Sequence, residues 1–174
     1  MEVGNLEFIT SASGTSVSSL DVTDCFSAKY DVYQILLSDL DFDGTGNKAI
    51  GMRFLDSVGT VITASEYDSA VLFLESSIAF SQSRYTNITS FGYGLGYTSS
   101  NDTGNIGCTV TIYNPYNSSS YTFFNQQSIG HTTSAIGTKE IGVHKSAEQI
   151  TGVNIYVNGA GNFSRLTVQI FGVK

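Results

Sequence analysis

Apolar and polar residues alternate with a period of two along much of this chain. The clearest case lies between Ile150 and Lys174, where two alternating runs flank a Gly/Asn-rich link at 158–162. A period of two places successive side chains on opposite faces of a β-strand. Two such runs around a turn sequence predict an antiparallel β-hairpin at this end of the chain.

The same alternation predicts strands along the rest of the chain. They lie at 6–9, 30–37, 49–55, 60–63, 67–80, 91–97, 106–113, 121–127 and 140–144. Turn signals separate them, notably at 39–47, 56–59 and 114–118, which contains the sole proline. About ten strands at intervals of 8 to 15 residues are typical of a β-sandwich or barrel and not of alternating βαβ units. We therefore predict one all-β domain over residues 1–174.

One segment allows a second interpretation of its secondary structure, and another is predicted to be helical. Segment 67–80 could present a helical face, but it has no glycine at its end and no basic last turn. We favour a long strand that bends near 75–77. Segment 146–149 is predicted to form one turn of helix.

Glycines alternate with large apolar residues in segment 91–97, which reads FGYGLGY. As a strand it would place Phe91, Tyr93, Leu95 and Tyr97 on one face and bare glycines on the other. Such a strand is weak unless something packs closely against the glycines. We favour packing by a neighbouring sheet or loop. The alternative is that the aromatic row contacts another subunit or a ligand.

The composition excludes several classes of function. Of the 174 residues, 41% are apolar and only 13% are charged, and the formal net charge is −7. Nucleic-acid binding requires clustered Lys and Arg, which this chain lacks. No apolar run approaches the length of a transmembrane helix, and no basic amphipathic stretch indicates a membrane surface. The start, MEVGNLEFIT, lacks the basic and apolar regions of a signal peptide, so we expect synthesis in a cytoplasm without export by the general route.

Two cysteines, Cys25 and Cys108, are too few for a disulfide framework. We expect two small, buried, reduced thiols. A single bridge between them is compatible with the sequence, which does not fix the distance between their Cα atoms.

Segment 39–47, DLDFDGTGN, resembles the first half of a calcium-binding loop. Asp39, Asp41 and Asp43 alternate before a glycine, and Asn47 stands at the ninth position. Ile50 occupies the twelfth position, where such loops have a bidentate Glu. Because Asp and Gly are also typical of hairpin turns, we interpret the segment as a turn and assign no metal site.

No catalytic constellation is evident in the sequence. His131 and His144 lack a recognised nucleophile or metal spacing, and we expect both to face solvent. Carboxylate pairs for hydrolysis are not assignable, because the glutamates are scattered: Glu7, Glu66, Glu75, Glu140 and Glu148. We therefore predict no catalytic, cofactor-binding or metal residues and no enzymatic activity. Sugar binding is compatible with ten Tyr and many amides, although there is no Trp and half-buried strand tyrosines explain the same composition.

Several pieces of this sequence together resemble a group of small virion proteins of tailed bacteriophages, abundant among marine and cyanobacterial phages. They are YDVYQI at 30–35, MRFLDSVGTVI at 52–62 with Tyr67 after it, and ITGVNIY, GNF and LTVQIFGVK at 150–156, 161–163 and 166–174. Their order and spacing hold over nearly the whole chain. Phe171 stands where family members often have Tyr.

The resemblance implies a jelly-roll-like β-sandwich without catalytic or metal residues, usually a homotrimer, that decorates the capsid or forms part of a tail or fibre. Its partners would be further copies of itself and the major capsid protein or other virion proteins, with no nucleic acid and no membrane. The leading hypothesis is a capsid decoration or cement protein of the virion. The alternative is a receptor-reading tail or fibre module that binds a host surface glycan. The chain contains no collagen-like run or heptad stalk, which favours the capsid role. A free carbohydrate-binding lectin is a third hypothesis.

Overall fold

The computed structural model describes residues 5–43, 47–92, 94–99, 106–131 and 134–174 of the chain. Within these ranges the chain forms twelve β-strands: β1 Leu6–Gly14, β2 Ser19–Val22, β3 Val32–Phe42, β4 Asn47–Leu55, β5 Tyr67–Glu75, β6 Ser81–Ile88, β7 Tyr97–Ser99, β8 Ile106–Tyr113, β9 Thr122–His131, β10 Ala135–His144, β11 Gly152–Asn158 and β12 Phe163–Val173. The predicted all-β class is confirmed. The described ranges contain no helix long and apolar enough to cross a membrane.

Two antiparallel sheets form a jelly roll. One has the order β1-β12-β3-β8-β9-β10-β5-β6 and the other β2-β11-β4-β7. When the hairpins β5–β6 and β9–β10 are set aside, eight strands are left. The first of these then pairs with the last, β1 with β12, and the inner pairs are β2 with β11, β3 with β8 and β4 with β7. This nested pairing of an antiparallel ribbon, wrapped into two sheets, defines the jelly-roll sandwich expected from the resemblance.

The two remaining hairpins widen one of the sheets. β9 pairs with β8, β10 with β9, β5 with β10 and β6 with β5. Together these four strands form an extension of the eight-stranded sheet beyond the jelly roll. Phe91 and Gly94 contact the inner face of the extension, and the rings of Phe91 and Phe124 lie 4.0 Å apart there.

The hydrophobic core lies between the facing sides of the two sheets. Strand β3 shows how alternation builds it, because Tyr33, Ile35 and Leu37 are buried and the residues between them are only partly so. Met52 and Phe54 of β4 are fully buried from the other sheet. Fully burying a large apolar side chain contributes roughly 1.5–3 kcal/mol. Rows of this kind from both sheets therefore hold the layers together.

The predicted C-terminal hairpin is wrong, although both of its strands form. β11 pairs with β2 and β4 in the four-stranded sheet, whereas β12 pairs with β1 and β3 in the eight-stranded sheet. The link at 158–162 contains Gly159 and Gly161 at φ values of +134° and +115°, and it carries the chain from one sheet to the other. This placement lets the apolar row of each strand face the core from its own side.

The turn predicted at 39–47 begins later than expected. β3 continues to Phe42, and Asp39 has a φ of +47° at a bulge that shifts the register against both neighbouring strands. The bulge returns Leu40 and Phe42 to the core side, and their burial explains why the strand continues. Residues 44–46 lie outside the described residues.

Other predicted elements are correct only in part. A tight turn forms at 56–60, but Val61 makes only an isolated bridge to Leu55, so 60–63 is not a strand. The strand predicted at 67–80 forms as β5 and ends at Glu75, and the polar strand β6 that follows was not predicted. The helical turn predicted at 146–149 does not form.

Segment 91–97 is not the strand that its pattern predicts. Phe91 exchanges backbone hydrogen bonds with Met52 of β4 at 2.8 and 3.0 Å, and the Gly96 carbonyl accepts one from Ile50 at 2.9 Å. Of the residues described in 91–97, only Tyr97 belongs to a strand, β7. The segment therefore contacts β4 at both ends and reaches across to the extension in between.

Close packing explains the glycines of this segment. This agrees with the interpretation favoured from the sequence, in which a neighbouring sheet or loop packs against them. The Gly94 carbonyl accepts hydrogen bonds from the side chains of Gln126 and Thr138 on the inner face of the extension. A Cβ at Gly94 would overlap the side chain of Glu140, and a Cβ at Gly96 would lie 2.9 Å from Ile50. Tyr93, which the pattern placed in an aromatic row, lies outside the described residues.

Candidate functional site

A cleft of about 960 Å³ opens on the outer face of the eight-stranded sheet. Residues of β3, β8, β9, β10, β5 and β6 line it, so the sheet is concave on this side. Strand alternation determines its floor. Along β9, for example, Phe124 and Gln126 are buried on the core side, whereas Asn125 and Gln127 are exposed on the outer side.

Two rows of outward side chains cross this cleft along the strand register. The first row runs from β8 to β6 and contains Thr111, Asn125, Ile141, Ala70 and Arg84. The second row lies two residues further along the strands and contains Leu36, Thr109, Gln127, Lys139, Leu72 and Gln82. Each row thus combines amides and hydroxyls with aliphatic side chains and one cation.

The charges of the cleft are positive. Arg84 and Lys139 are exposed there, whereas Glu140 points to the opposite face of β10 and is only 2% exposed. Ligand sites of this size usually combine apolar walls with a few polar groups that fix orientation. Such an arrangement suits a polar ligand that carries negative charge.

Sequence reasoning did not find this cleft. Its residues occupy the alternate positions of strands, where polar side chains are normally solvated and carry no special meaning. The one available signal is the concentration of amides and hydroxyls at Thr109, Thr111, Asn125 and Gln127 on adjacent strands. That signal becomes interpretable only when the strand order is known.

His144 contradicts the expectation of a solvent-facing ring. Its side chain is fully buried, its ring lies 4.8 Å from that of Tyr67, and its Nε2 lies 2.8 Å from Glu148 Oε1 and 4.0 Å from Glu66 Oε2. His131, by contrast, is exposed at the end of β9, as expected. The burial of His144 follows from its alternate position on β10, which faces the core side.

The His144 cluster has the spacing of a metal site, but it lacks the hydrogen bond that normally orients a metal-bound histidine. One ligand atom from each of Glu66, His144 and Glu148 lies within 4.8 Å of the others. However, His144 Nδ1 is buried without a hydrogen-bond partner, whereas a metal-bound His normally donates this N–H to a second group. We interpret the cluster as a structural contact that joins the chain after β10 to the start of β5.

Glu140 is a second buried acid, on the inner face of the extension. Neither of its carboxylate oxygens has a hydrogen-bond partner, and burial raises its pKa to about 7. A polar network lies beside it, in which Ser128 Oγ and Thr138 Oγ1 are 2.6 Å apart and Gln126 Nε2 donates to Thr138 Oγ1 at 3.0 Å. Gly94 lies against the Glu140 side chain here, so we expect the ionisation of Glu140 to affect stability.

The acids of the calcium-like segment have protein partners. Arg165 Nε lies 3.3 Å from Asp39 Oδ1, and another nitrogen of the same guanidinium lies 3.6 Å from Asp41 Oδ2. Asp43 accepts hydrogen bonds from the backbone and side-chain nitrogens of Asn162 at 2.8 and 3.1 Å, which lower its pKa. These contacts join the end of β3 to the start of β12 and give the acids a structural role.

Cys25 and Cys108 are both free and buried, as predicted. Burial raises the pKa of Cys25 to about 12 and also raises that of Cys108. Both thiols therefore stay protonated at neutral pH and contribute to packing.

Some of the exposed large apolar side chains lie at two sites, one at the β1 edge of the eight-stranded sheet and one near the link between β5 and β6; the others are Val58, Leu72, Tyr121, Phe123 and Ile141. The first, the edge patch, consists of the exposed Leu6 and Phe8 on β1 and the half-buried Phe171 on β12, and the rings of Phe8 and Phe171 lie 5.7 Å apart. The second, the tip patch, consists of Ile78, Phe80 and Ile129. Phe80 and Ile129 line a shallow depression of about 240 Å³.

A scan against protein-family models finds no model that matches this chain. A search of curated proteins finds no match either.

Proposed function

We propose that this chain is a non-enzymatic structural protein of a tailed-bacteriophage virion, made in the host cytoplasm. Its role is that of a capsid decoration or cement protein, and it assembles as a homotrimer. The proposal is carried by one observation, the presence of two separate apolar patches, one at the β1 edge of the large sheet and one near the link between β5 and β6. A cement protein must contact both its own copies and the capsid protein, so it requires two such surfaces.

The edge patch suits self-association. Leu6 and Phe8 are 48% and 56% exposed on β1, which is an edge strand with one side unpaired in the described fold. Large apolar side chains at an exposed edge are a common basis for contact between copies of a chain. Contact through this patch would bury Phe8 and Phe171 together.

The tip patch suits contact with the major capsid protein. Ile78, Phe80 and Ile129 are 65%, 68% and 65% exposed. Four strand spacings separate β1 from β9, which carries Ile129, and six separate it from β5, which precedes Ile78 and Phe80, so the two patches are roughly 20–30 Å apart across the sheet. At that separation one chain can bind its own copies and a capsid subunit at the same time.

Substitution of Phe8 tests the trimer. A compact monomer of 174 residues has a radius of gyration of about 16 Å, and we expect small-angle scattering to give a clearly larger value for the wild type. Phe8→Ser should return the monomer value because it removes an exposed apolar contact. Val58→Ser is the matched control, since Val58 is 82% exposed in a turn outside both patches. A wild type that has the monomer radius of gyration in solution and is also not trimeric in isolated particles would contradict the proposal.

The second candidate function is a tail or fibre module that reads a host surface glycan. The polar cleft favours it, because a purely architectural protein has no need of such a site. Quantitative mass spectrometry of purified particles distinguishes the two roles. Hundreds of copies per particle indicate capsid decoration, and a few copies indicate a tail or fibre.

A further inference from the structure

The positively charged side chains of this protein are almost all engaged with other protein groups. Six of the eight Lys and Arg residues contact an acid, a carbonyl oxygen or an aromatic ring: Lys29 and Lys174 with Glu7, Lys48 with the Ala160 carbonyl, Arg53 with the Tyr156 ring, Lys145 with Asp68, and Arg165 with Asp39 and Asp41. In a chain with a net charge of −7, such pairing is expected.

The two exceptions both lie in the cleft. The side chains of Arg84 and Lys139 have no ion pair or hydrogen bond with any described residue, and both residues are exposed. They stand two strands and two residues apart, which corresponds to roughly 12 Å between Cα atoms on a sheet. The concave face turns their long side chains toward the same space. The cleft is therefore a positive region on an acidic protein.

Neutral polar groups in the cleft are also available for binding. Within the described ranges, the side chains of Thr109, Gln127 and Gln82 make no hydrogen bond to protein, and these residues lie on both sides of Lys139 along the second row. The aliphatic side chains of Leu72 and Ile141 lie between the polar groups and are exposed. A ligand that fits must offer hydroxyls or carbonyls at its edge, an apolar face and negative charge.

We propose that this cleft binds an anionic saccharide. Arg84 and Lys139 pair with acid groups carried on different sugar residues, the amides of Gln127 and Gln82 bind ring hydroxyls, and Leu72 packs against the C–H face of a sugar ring. Charge-assisted hydrogen bonds from Arg and Lys are about twice as strong as neutral ones, so the two cations determine the preference for acidic sugars.

Other anionic ligands fit less well. Duplex nucleic acid is bound through many phosphate contacts, and two cations on an acidic protein supply too few. A single inorganic anion would occupy only a small part of a space of about 960 Å³. An acidic peptide shares the charge but lacks the dense hydroxyls that the amides and threonines can bind.

The inference is independent of the proposed capsid role and bears on the receptor-reading alternative. The cleft lies between the edge patch and the tip patch and shares only Ile129 with the latter. Binding and assembly can therefore be measured separately on the full chain.

Calorimetric titration with defined trisaccharides tests the proposal. We expect trigalacturonate or a sulfated galactose trisaccharide to bind. Comparison of these two sugars distinguishes carboxylate from sulfate as the preferred acid. Neutral galactotriose should bind at least tenfold more weakly. Arg84→Gln and Lys139→Gln should each lower the affinity about tenfold or more. Lys29→Gln is the control, since Lys29 lies outside the cleft and pairs with Glu7 at 2.5 Å. Both cleft residues are exposed, so both variants should keep the wild-type melting temperature.

Three results would overturn the inference. They are an absence of heat with both acidic sugars, affinities unchanged by the Arg84 and Lys139 variants, or equally tight binding of hexaglutamate, which would show that charge alone is read. If the wild type is oligomeric and incorporated into particles but binds neither sugar, this inference fails and the capsid role stands.

Discussion

Glu140 illustrates how a single residue can carry a pH dependence that no sequence pattern reveals. It lies on the core side of β10 with both carboxylate oxygens unpartnered, and its pKa is raised to about 7 by burial. Ionised carboxylates are costly to bury without a partner, so the folded protein favours the protonated acid. The acid is therefore neutral in the folded state over a pH range in which it is ionised in the unfolded chain.

Glu140→Gln should remove this pH dependence. In the wild type, the folded carboxyl holds its proton up to about pH 7 and the unfolded one releases it near 4.5. Raising the pH between these values therefore favours unfolding. The stabilisation is complete below about pH 4.5 and is lost as the pH rises through 7, in total roughly 3 kcal/mol. Urea unfolding at pH 4, 6 and 8 should show that the variant lacks this loss, and parallel curves for the two proteins would contradict the assignment.

Burial of individual polar residues was the least predictable feature of the sequence. His144 and Glu140 share one face of β10, and alternation alone correctly implies that they face the same way. Periodicity does not say which face meets a neighbour, because Ile141 on the other face is 65% exposed. The usual preference of acids and histidines for solvent then gives the wrong face.

At the scale of elements, segment 89–96 contacts both sheets. It is bound to β4 at Phe91 and Gly96, and between them its backbone enters the polar network of β9 and β10. The absence of a side chain at Gly94 permits this approach, because the Glu140 carboxylate occupies the space that a Cβ would need. A strand, as predicted for 91–97, would not bring the Gly94 carbonyl to Gln126 and Thr138.

Gly94→Ala should destabilise the protein by about 1–3 kcal/mol, the usual cost of overpacking. Chemical denaturation measures this cost directly. Gly107→Ala is a matched control on the outer face, where the nearest atom to a new Cβ is Ile129 Cγ2 at 3.9 Å. In a Glu140→Ala background the cost of Gly94→Ala should shrink, since the obstructing carboxylate is gone and only the Cβ at position 140, 2.8 Å from the new Cβ, still crowds it. Equal losses for Gly94→Ala and Gly107→Ala would show that the segment is not closely packed.

Strand existence was predictable, and strand partnership was not. Alternation located β3, β4, β8, β9, β11 and β12 because one face of each strand meets the core and the other does not. It also suggested that β11 and β12 form a hairpin, since a short Gly/Asn link usually joins neighbours. In a jelly roll consecutive strands instead enter opposite sheets. The pairing of β1 with β12 joins strands that are far apart in the sequence, and local patterns do not encode such a contact.

At the scale of the whole molecule, the jelly roll and its extension share one sheet and one core. The core cluster includes Tyr33 and Ile170 from the jelly-roll strands and Tyr67 and Phe124 from the extension. The described residues of both parts therefore pack into the same cluster. The cleft spans the same junction, because its rows run from β3 and β8 across to β6. Any ligand bound there would contact both parts.

This continuity predicts that the extension does not unfold separately from the jelly roll. At about 0.7 kcal/mol per residue, 174 residues give an unfolding enthalpy of roughly 120 kcal/mol near 60 °C. Differential scanning calorimetry should show one transition of this size, with equal calorimetric and van't Hoff enthalpies. The Phe8→Ser protein is the appropriate sample, since dissociation of the proposed trimer would otherwise contribute to the heat. A separate early transition would mean that β5, β6, β9 and β10 are held only by their hydrogen bonds to β8, and the cleft would then be a hinge between two bodies rather than a preformed site.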